Sequence, residues 1–189
     1  MKVAITGHSR GIGLALDTEL SKRGHQVLGF SRTNGYDIDD VQIRKDIIHQ
    51  VNDCDVFINN AYSHIAQFDL LEKITTQWQD QKKIVINVNS KSIFAPVVPQ
   101  SMQQYVEDKR RQYDYIQSLK FRARPYVMDL ILGLVDTDMS NIFVADKMQA
   151  NEISQLIADI LERKDQLYVQ QLILDVPFQD WKNIQQKNQ

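Results

Sequence analysis

A tyrosine and a lysine four positions apart, Tyr105 and Lys109, are the side chains of this sequence best suited to acid/base chemistry. Two residues at positions i and i+4 of a helix lie on the same face, one turn apart. A free phenol titrates at about 10 and exchanges its proton poorly at neutral pH. A neighbouring ammonium group favours the phenolate and lowers the pKa of the phenol. The spacing therefore predicts a tyrosine that passes a proton to or from a bound oxygen atom.

The same spacing arises by chance in a chain with 7 tyrosines, so the pair alone is a weak signal. Tyr113 and Tyr115 do not share it, because neither has a lysine four positions later. What supports Tyr105 as an acid/base group is the series of motifs that precedes it in the chain.

Three glycines stand close together near the start of the chain, in the stretch Thr-Gly-His-Ser-Arg-Gly-Ile-Gly at residues 6–13. A short apolar run precedes them as a predicted strand, and a segment with helical spacing follows. Gly7 permits a tight turn, Gly11 lets backbone amides approach a pyrophosphate, and Gly13 lets the helix pack near the strand. Such a turn predicts a dinucleotide site, although three close glycines also occur in ordinary turns. The residues expected to contact the dinucleotide here are Gly7, Ser9, Arg10, Gly11, Ile12 and Gly13.

The end of the second predicted strand, residues 26–30, faces the adenosine ribose in a unit of this kind. An acid there would bind the 2′-hydroxyl of NAD, but the sequence has Ser31 and Arg32. A cation favours a 2′-phosphate, because a charge-assisted hydrogen bond contributes about 1.5 to 3 kcal/mol. The sequence therefore predicts NADP(H) as cofactor, bound in part by Ser31 and Arg32. The open alternative is that Arg32 is a solvated surface charge.

The glycine stretch, T-G-x-x-x-G-I-G, resembles that of the short-chain dehydrogenase/reductase family, and further motifs follow in the order found in this family. Residues 59–62, Asn-Asn-Ala-Tyr, are similar to its N-N-A-G, and residues 87–90 match its N-x-x-S. Tyr105 and Lys109 match its Y-x-x-x-K. Residues 132–139 are similar to its P-G-x-V-x-T-D-M, with Leu132 in place of the proline. The resemblance covers nearly all of the chain, in a shortened form.

The resemblance implies a catalytic group. Ser90 orients the substrate oxygen, with Ser92 as second choice. Tyr105 supplies the proton for hydride transfer between a nicotinamide and a small carbonyl or alcohol substrate. Lys109 lowers the pKa of Tyr105 and holds the nicotinamide ribose, so that both residues also contact the cofactor. Taken alone, a serine after a strand is more often a turn or capping residue.

The resemblance also implies cofactor contacts outside the glycine turn. Asp37 approaches the adenine amino group, and Asn60 with Ala61 lines the adenosine ribose. Thr137 contacts the nicotinamide end, and Arg10, just before the second glycine, marks members that prefer NADP. Ordinary alternatives remain open, because Asn60 also suits a turn and Thr137 also suits a helix cap.

Two departures from the family leave the activity open. Tyr62 replaces the glycine of N-N-A-G, which puts backbone approach to the cofactor in doubt. No asparagine occurs in residues 62–83, where a helical asparagine completes the family's catalytic group. That asparagine is either missing or replaced by a residue that the sequence does not identify. The rival function is a non-catalytic NADP(H)-binding redox sensor or regulatory module.

Alternating strands and helices position these residues and predict the α/β class: a doubly wound, mostly parallel sheet with helices on both faces, as in the Rossmann fold. Ligands bind such sheets at the carboxyl ends of the strands, where every motif above falls. Residues 36–38 are predicted to form a short third strand, and residues 140–150 a lid. We expect one domain, residues 1–178, and a polar, frayed tail, residues 179–189.

Composition excludes several classes of protein. A net charge of -2 gives no reason to expect nucleic acid or an anionic membrane as partner. No apolar run approaches the roughly 20 residues of a membrane span. The single cysteine, Cys54, fits a reducing cytoplasm, and the four histidines lack ligand spacing, so no metal site is predicted. The expected partners are a small carbonyl or alcohol substrate and, from the resemblance, further copies of the chain in a homodimer or homotetramer.

Overall fold

Parallel strands with helices on both faces make up the part of the chain that this computed structural model describes: residues 1–119, residues 124–177 and the backbone of residues 185–186. The strands are β1 (Lys2–Thr6), β2 (Gln26–Phe30), β3 (Val56–Asn59), β4 (Ile84–Ser90), β5 (Tyr126–Leu132), β6 (Phe143–Val144), β7 (Gln171–Leu174) and β8 (Gln185–Gln186). The helices are α1 (Gly11–Lys22), α2 (Val41–Gln50), α3 (His64–Gln77), α4 (Gln103–Leu119) and α5 (Ala150–Glu162). Six strands form one parallel sheet in the order β2-β1-β3-β4-β5-β7. The predicted doubly wound α/β class, with the sheet of a Rossmann fold, is confirmed.

The helices bury the two faces of the sheet in separate apolar cores. On one face α1 and α5 pack against the sheet, with Leu16 and Ile157 beside Ile5. On the other face α2, α3 and α4 pack, with Leu71 beside Phe57. Because both faces are covered, β1 and β3 are nearly unbroken apolar runs. Among the described helices, none is both long and apolar enough to cross a membrane.

Residues 36–38 do not form the predicted third strand. The Asn34 side chain accepts a hydrogen bond from the backbone nitrogen of Ser31 at 2.8 Å and donates one to the backbone oxygen of Gly29 at 2.9 Å. Gly35 then adopts a left-handed backbone with a φ of 89°. These contacts turn the chain away from β2 before another strand can pair, so β2 is an edge strand of the sheet.

The segment after β5 contains a small second sheet. β6 lies within the predicted lid and pairs antiparallel with β8. Residues 185–186 of the predicted tail form β8, and the predicted fraying of the tail stays a prediction. The rest of the predicted tail lies outside the described residues, and the domain boundary at residue 178 stays a prediction.

Candidate active site

Ser90, Tyr105 and Lys109 lie together at the carboxyl end of β4. Ser90 is the last residue of β4, and α4, which packs against β4, carries Tyr105 in its first turn and Lys109 one turn later. The Ser90 side chain lies near enough to Tyr105 to affect the pKa of its phenol. Ser92, the second choice from the sequence, has its hydroxyl 2.8 Å from that of Ser90. The structure thus brings the predicted catalytic residues into one site, and their catalytic roles stay predictions.

Tyr105 is half-buried against the ring of Tyr62, with the ring centroids 4.8 Å apart in an edge-to-face arrangement. Burial raises the pKa of Tyr105, and the Ser90 side chain opposes this rise. Lys109 does not produce the predicted lowering of that pKa, since its Nζ lies 5.7 Å from the Tyr105 ring centroid and is hydrogen-bonded elsewhere. The structure corrects this expectation. A raised pKa keeps the phenol protonated at neutral pH, which suits a proton donor.

Lys109 is almost completely buried, with 3% of its surface exposed. Its Nζ donates hydrogen bonds of 2.7 Å to Oε1 of Gln67 and to the backbone oxygen of Val88. It also lies 5.4 Å from the ring centroid of Tyr62. Burial lowers the pKa of Lys109 to about 7, against the opposing effect of two nearby carboxylates. The ammonium group is therefore close to its titration midpoint at neutral pH.

The lowered pKa of Lys109 makes the free energy of unfolding depend on pH. The unfolded chain keeps this proton up to about pH 10, whereas the folded chain loses it above about pH 7. The unfolded state binds more protons within this window, so stability rises with pH there. We expect the free energy of unfolding to increase by about 2 kcal/mol between about pH 7 and about pH 9 because of this group. Urea unfolding of the wild type and of Lys109→Met at both pH values measures the increase, and an equal pH dependence of the two proteins would contradict it.

Tyr62 places a large side chain where the resemblance predicts glycine. Its hydroxyl donates a hydrogen bond of 2.9 Å to Oδ2 of Asp108, which is buried and also accepts one of 3.0 Å from Gln104. Burial and this carboxylate raise the pKa of Tyr62. The ring lies against both Tyr105 and Lys109. A ligand that contacts the Lys109 ammonium group must therefore share this space with the Tyr62 ring.

The glycine turn has the geometry that a dinucleotide site requires. Gly7 and Gly11 have φ values of 72° and 53°, in the region that glycine adopts most easily. A Cβ atom on Gly13 would lie 2.1 Å from the backbone oxygen of Gly7, so only glycine lets α1 approach this turn. No side chain caps the start of α1 at Arg10, which leaves its first amides available to an anion. The same stretch contains Ser9 and Ile12.

Thr137 lies beside the glycine turn. Its methyl carbon is 3.1 Å from the position of a Cβ atom on Gly11, so the loop after β5 meets the turn after β1. Thr137 is also the N-cap residue of a short helical turn, Asp138–Ser140, as the capping alternative predicts. Thr137 therefore lies beside the glycine turn at a capping position, and its contact with a cofactor stays a prediction.

Asn60 and Ala61 hold the end of β3 to the end of β1. The hydroxyl of Thr6 accepts hydrogen bonds of 3.0 Å from the backbone nitrogens of both residues. The Asn60 side chain donates a third bond, of 3.0 Å, to the backbone oxygen of Thr6. The turn alternative thus accounts for the Asn60 side chain. Asp37 is half-buried, and its carboxylate accepts a hydrogen bond of 3.2 Å from the backbone nitrogen of Asp39.

Arg10 and Arg32 are exposed at the start of α1 and just after β2. The backbone nitrogen of Gly7 donates to the backbone oxygen of Phe30 at 2.6 Å, which holds the glycine turn against the end of β2. Neither guanidinium forms an ion pair with a residue that the structure describes. Ser31 is buried, and its hydroxyl bonds within its own turn. Contact of Arg10 or Arg32 with a 2′-phosphate stays a prediction.

Sequence reasoning missed Gln67, which contacts Lys109 from α3. A signal existed, because Gln67 shares helical spacing with Leu70, Leu71 and Ile74, which are fully buried. A glutamine on the apolar face of a helix is buried at a cost unless it is hydrogen-bonded. Its position therefore points to a polar partner inside the fold, although not to which one.

The rings of Tyr62 and Tyr105 pack against each other within the site. The two best-formed cavities among the described residues, of about 20 and about 10 Å³, lie elsewhere. Both are lined by residues at the amino ends of the strands, with Tyr126 in the first, Val127 in the second and Tyr168 in both. Within the described ranges, no group of three or more histidines, cysteines or carboxylates is placed to hold a metal ion.

The sequence matches no protein-family model, and no curated protein matches it. Solved structures match its fold over more than nine-tenths of the chain. A short-chain dehydrogenase from Burkholderia cenocepacia, in complex with NADP, is 18% identical with a TM-score of 0.73, covering 93% of this chain and 88% of that one. The 3-alpha-hydroxysteroid dehydrogenase of Pseudomonas sp. B-0831, complexed with NADH, is 18% identical with a TM-score of 0.63, covering 93% and 95%. Serine dehydrogenase from Escherichia coli is 15% identical with a TM-score of 0.71, covering 96% and 100%.

These similarities establish the fold. The chain folds as the short-chain dehydrogenase/reductase structures do, over nearly its whole length. The predicted resemblance is confirmed at this level.

Proposed function

We propose that this protein is an NADP(H)-dependent oxidoreductase that transfers hydride between the nicotinamide and a small carbonyl or alcohol substrate. The observation that carries the proposal is the meeting of Ser90, Tyr105 and Lys109 at the edge of the sheet that also holds the glycine turn. In parallel sheets this edge binds the ligand. Structural neighbours complexed with NADP and with NADH support a nicotinamide dinucleotide as cofactor.

The residues of the site divide the chemistry between them. When bound, NADPH supplies the hydride to the carbonyl carbon. The Ser90 hydroxyl donates a hydrogen bond to the substrate oxygen and orients it. Tyr105, kept protonated by its raised pKa, donates its proton to that oxygen as negative charge develops. The Lys109 ammonium group holds the nicotinamide ribose, and alcohol oxidation returns the proton to Tyr105.

Fluorescence titration with NADPH, followed by a panel of small carbonyl compounds, tests the proposal. We expect saturable NADPH binding and NADPH oxidation with at least one member of the panel. Binding without turnover on any carbonyl or alcohol would favour the non-catalytic function below. Absence of NADPH and NADH binding would contradict both functions.

Arg32→Asp is expected to weaken NADPH binding by about 10- to 10²-fold and to leave NADH binding almost unchanged. The reason is that a 2′-phosphate loses a charge-assisted hydrogen bond and gains a like charge, whereas NADH has no such phosphate. Fluorescence titration with both cofactors measures the change. Arg163→Asp, at the exposed carboxyl end of α5, controls for net charge. Equal losses for the two cofactors would count against the assignment of Arg32 to the 2′-phosphate.

A second candidate function, a non-catalytic NADP(H)-binding redox sensor, is favoured by Tyr62. Its ring packs on Tyr105 and lies over Lys109, the two groups that catalysis must expose to ligand. Tyr62→Gly separates the two functions. If the protein is an enzyme, the variant keeps or increases the turnover of the wild type. If it is a sensor, neither the wild type nor the variant shows turnover.

We also propose, from the resemblance, a homodimer or homotetramer in the cytoplasm. Cys54 is buried and unpaired, and burial raises the pKa of its thiol, so it stays a thiol at neutral pH. Light scattering tests the assembly, and the mass of a single chain would contradict it.

A further inference from the structure

Gln67 uses the full hydrogen-bonding capacity of its side-chain amide while completely buried. Its Nε2 donates to the backbone oxygens of Asn59 at 2.9 Å and Val88 at 3.0 Å. Its Oε1 accepts from Lys109 Nζ at 2.7 Å and from Gln112 Nε2 at 3.1 Å. Every partner is supplied by the ends of β3 and β4 or by α4, so the amide joins three elements beneath the site.

The orientation of this amide is fixed by its partners. Two backbone carbonyls can only accept, so they require the nitrogen of Gln67 on their side. The ammonium group of Lys109 can only donate, so it requires the oxygen. The reversed amide would place donors against donors and oxygen against carbonyl oxygens in a buried space, where unpaired polar groups are costly.

A second layer of amides supports Gln67. Gln112 accepts a hydrogen bond of 3.0 Å from Asn87, which in turn accepts one of 3.0 Å from Asn59. Asn59 also donates to the backbone oxygen of Gln67 at 2.9 Å. All four side chains are fully buried. These hydrogen-bonded amides connect the sheet to the ammonium group of Lys109 and hold Oε1 of Gln67 against it.

We infer that Gln67 is the positioning residue that holds the ammonium group of Lys109 beside Tyr105, for the reaction proposed above. An ammonium group has three protons to donate, and two of them are taken by Gln67 and Val88. Among the described residues no third acceptor is hydrogen-bonded to this group. Gln67 acts through Lys109 and not on the substrate, and it serves at a position where the resemblance leads one to look for asparagine.

The test compares two glutamines of the same network, of which only one contacts Lys109. In cofactor-free protein, NMR titration of the Lys109 side-chain nitrogen is expected to show a pKa lower by about one to two pH units in Gln67→Met, because an acceptor of the charged form is lost. Gln112→Met removes two hydrogen bonds of the same network, with Asn87 and with Gln67, but keeps the acceptor, so the pKa of Lys109 should stay close to the wild-type value. Equal effects of the two variants would reduce Gln67 to a structural amide and overturn the inference.

Gln67→Glu keeps the size of the side chain and provides a test if the methionine variant does not fold. A carboxylate at the acceptor position should raise the pKa of Lys109, opposite in sign to the effect of methionine. A lowered or unchanged pKa would overturn the inference. In turnover, the pH at which kcat changes should move in the same direction as the NMR value. A wild type without turnover would overturn the proposed function, while the NMR comparison would still decide whether Gln67 holds the ammonium group.

Discussion

Tyr105→Phe is expected to reduce kcat with a carbonyl substrate by about 10²- to 10⁴-fold and to leave NADPH affinity within about twofold of the wild type. The variant removes the hydroxyl that would deliver the proton and keeps the ring that packs edge-to-face on Tyr62. Cofactor contacts at the glycine turn are unchanged, because that turn follows a different strand. Steady-state kinetics and NADPH fluorescence titration measure the two quantities.

Tyr113→Phe is the matched control for this prediction. Tyr113 lies on the same helix and also packs edge-to-face on an aromatic ring, that of Phe94, with the centroids 5.7 Å apart. It lacks a lysine one turn later and contacts neither Ser90 nor Lys109 through any interaction that the structure describes. We expect full turnover from this control. Turnover by Tyr105→Phe at the wild-type rate would remove Tyr105 from the mechanism.

Gly13→Ala is expected to weaken NADPH binding by about 10- to 10²-fold and to lower the free energy of unfolding by about 1 to 3 kcal/mol. Its Cβ atom would lie 2.1 Å from the backbone oxygen and 2.7 Å from the backbone carbon of Gly7. Backbone atoms cannot rotate aside as a flexible side chain can, so α1 must move away from the turn. The amides at the start of α1 then lose their position against the pyrophosphate.

Gly24→Asn provides the control at the other end of α1. Gly24 has a φ of 81° and nothing within 4 Å of an added Cβ atom, and asparagine tolerates this backbone better than other side chains do. We expect NADPH affinity to stay unchanged. Fluorescence titration and urea unfolding of both variants decide the matter, and unaltered NADPH affinity in Gly13→Ala would mean that the cofactor, if any, binds elsewhere.

The positions of the glycine turn and of the pair Tyr105 and Lys109 could be predicted because they depend on spacing along one segment. A turn between a strand and a helix, and two residues one helical turn apart, are local features that a sequence displays directly. The parallel order of the sheet followed from the alternation of strands and helices. These predictions required no knowledge of which distant side chains touch.

The residues that the sequence did not reveal depend on contacts between distant segments. Gln67 joins β3, β4 and α4, so its role appears only when all three are in place. The predicted direction of the pKa shift of Tyr105 was wrong for the same reason, because burial is set by the whole fold and here raises that pKa. The predicted third strand does not form because the Asn34 side chain is hydrogen-bonded within its own turn. This local contact competes with strand pairing.

The most direct test of the central claim is transfer of deuterium from C4 of labelled NADPH to a small carbonyl compound, measured by mass spectrometry of the alcohol. The account predicts one deuterium on the former carbonyl carbon with the wild type, and a loss of that product with Tyr105→Phe at equal NADPH occupancy. Saturating NADPH binding without label in any product of the panel, or equal labelling by the two proteins, would contradict it.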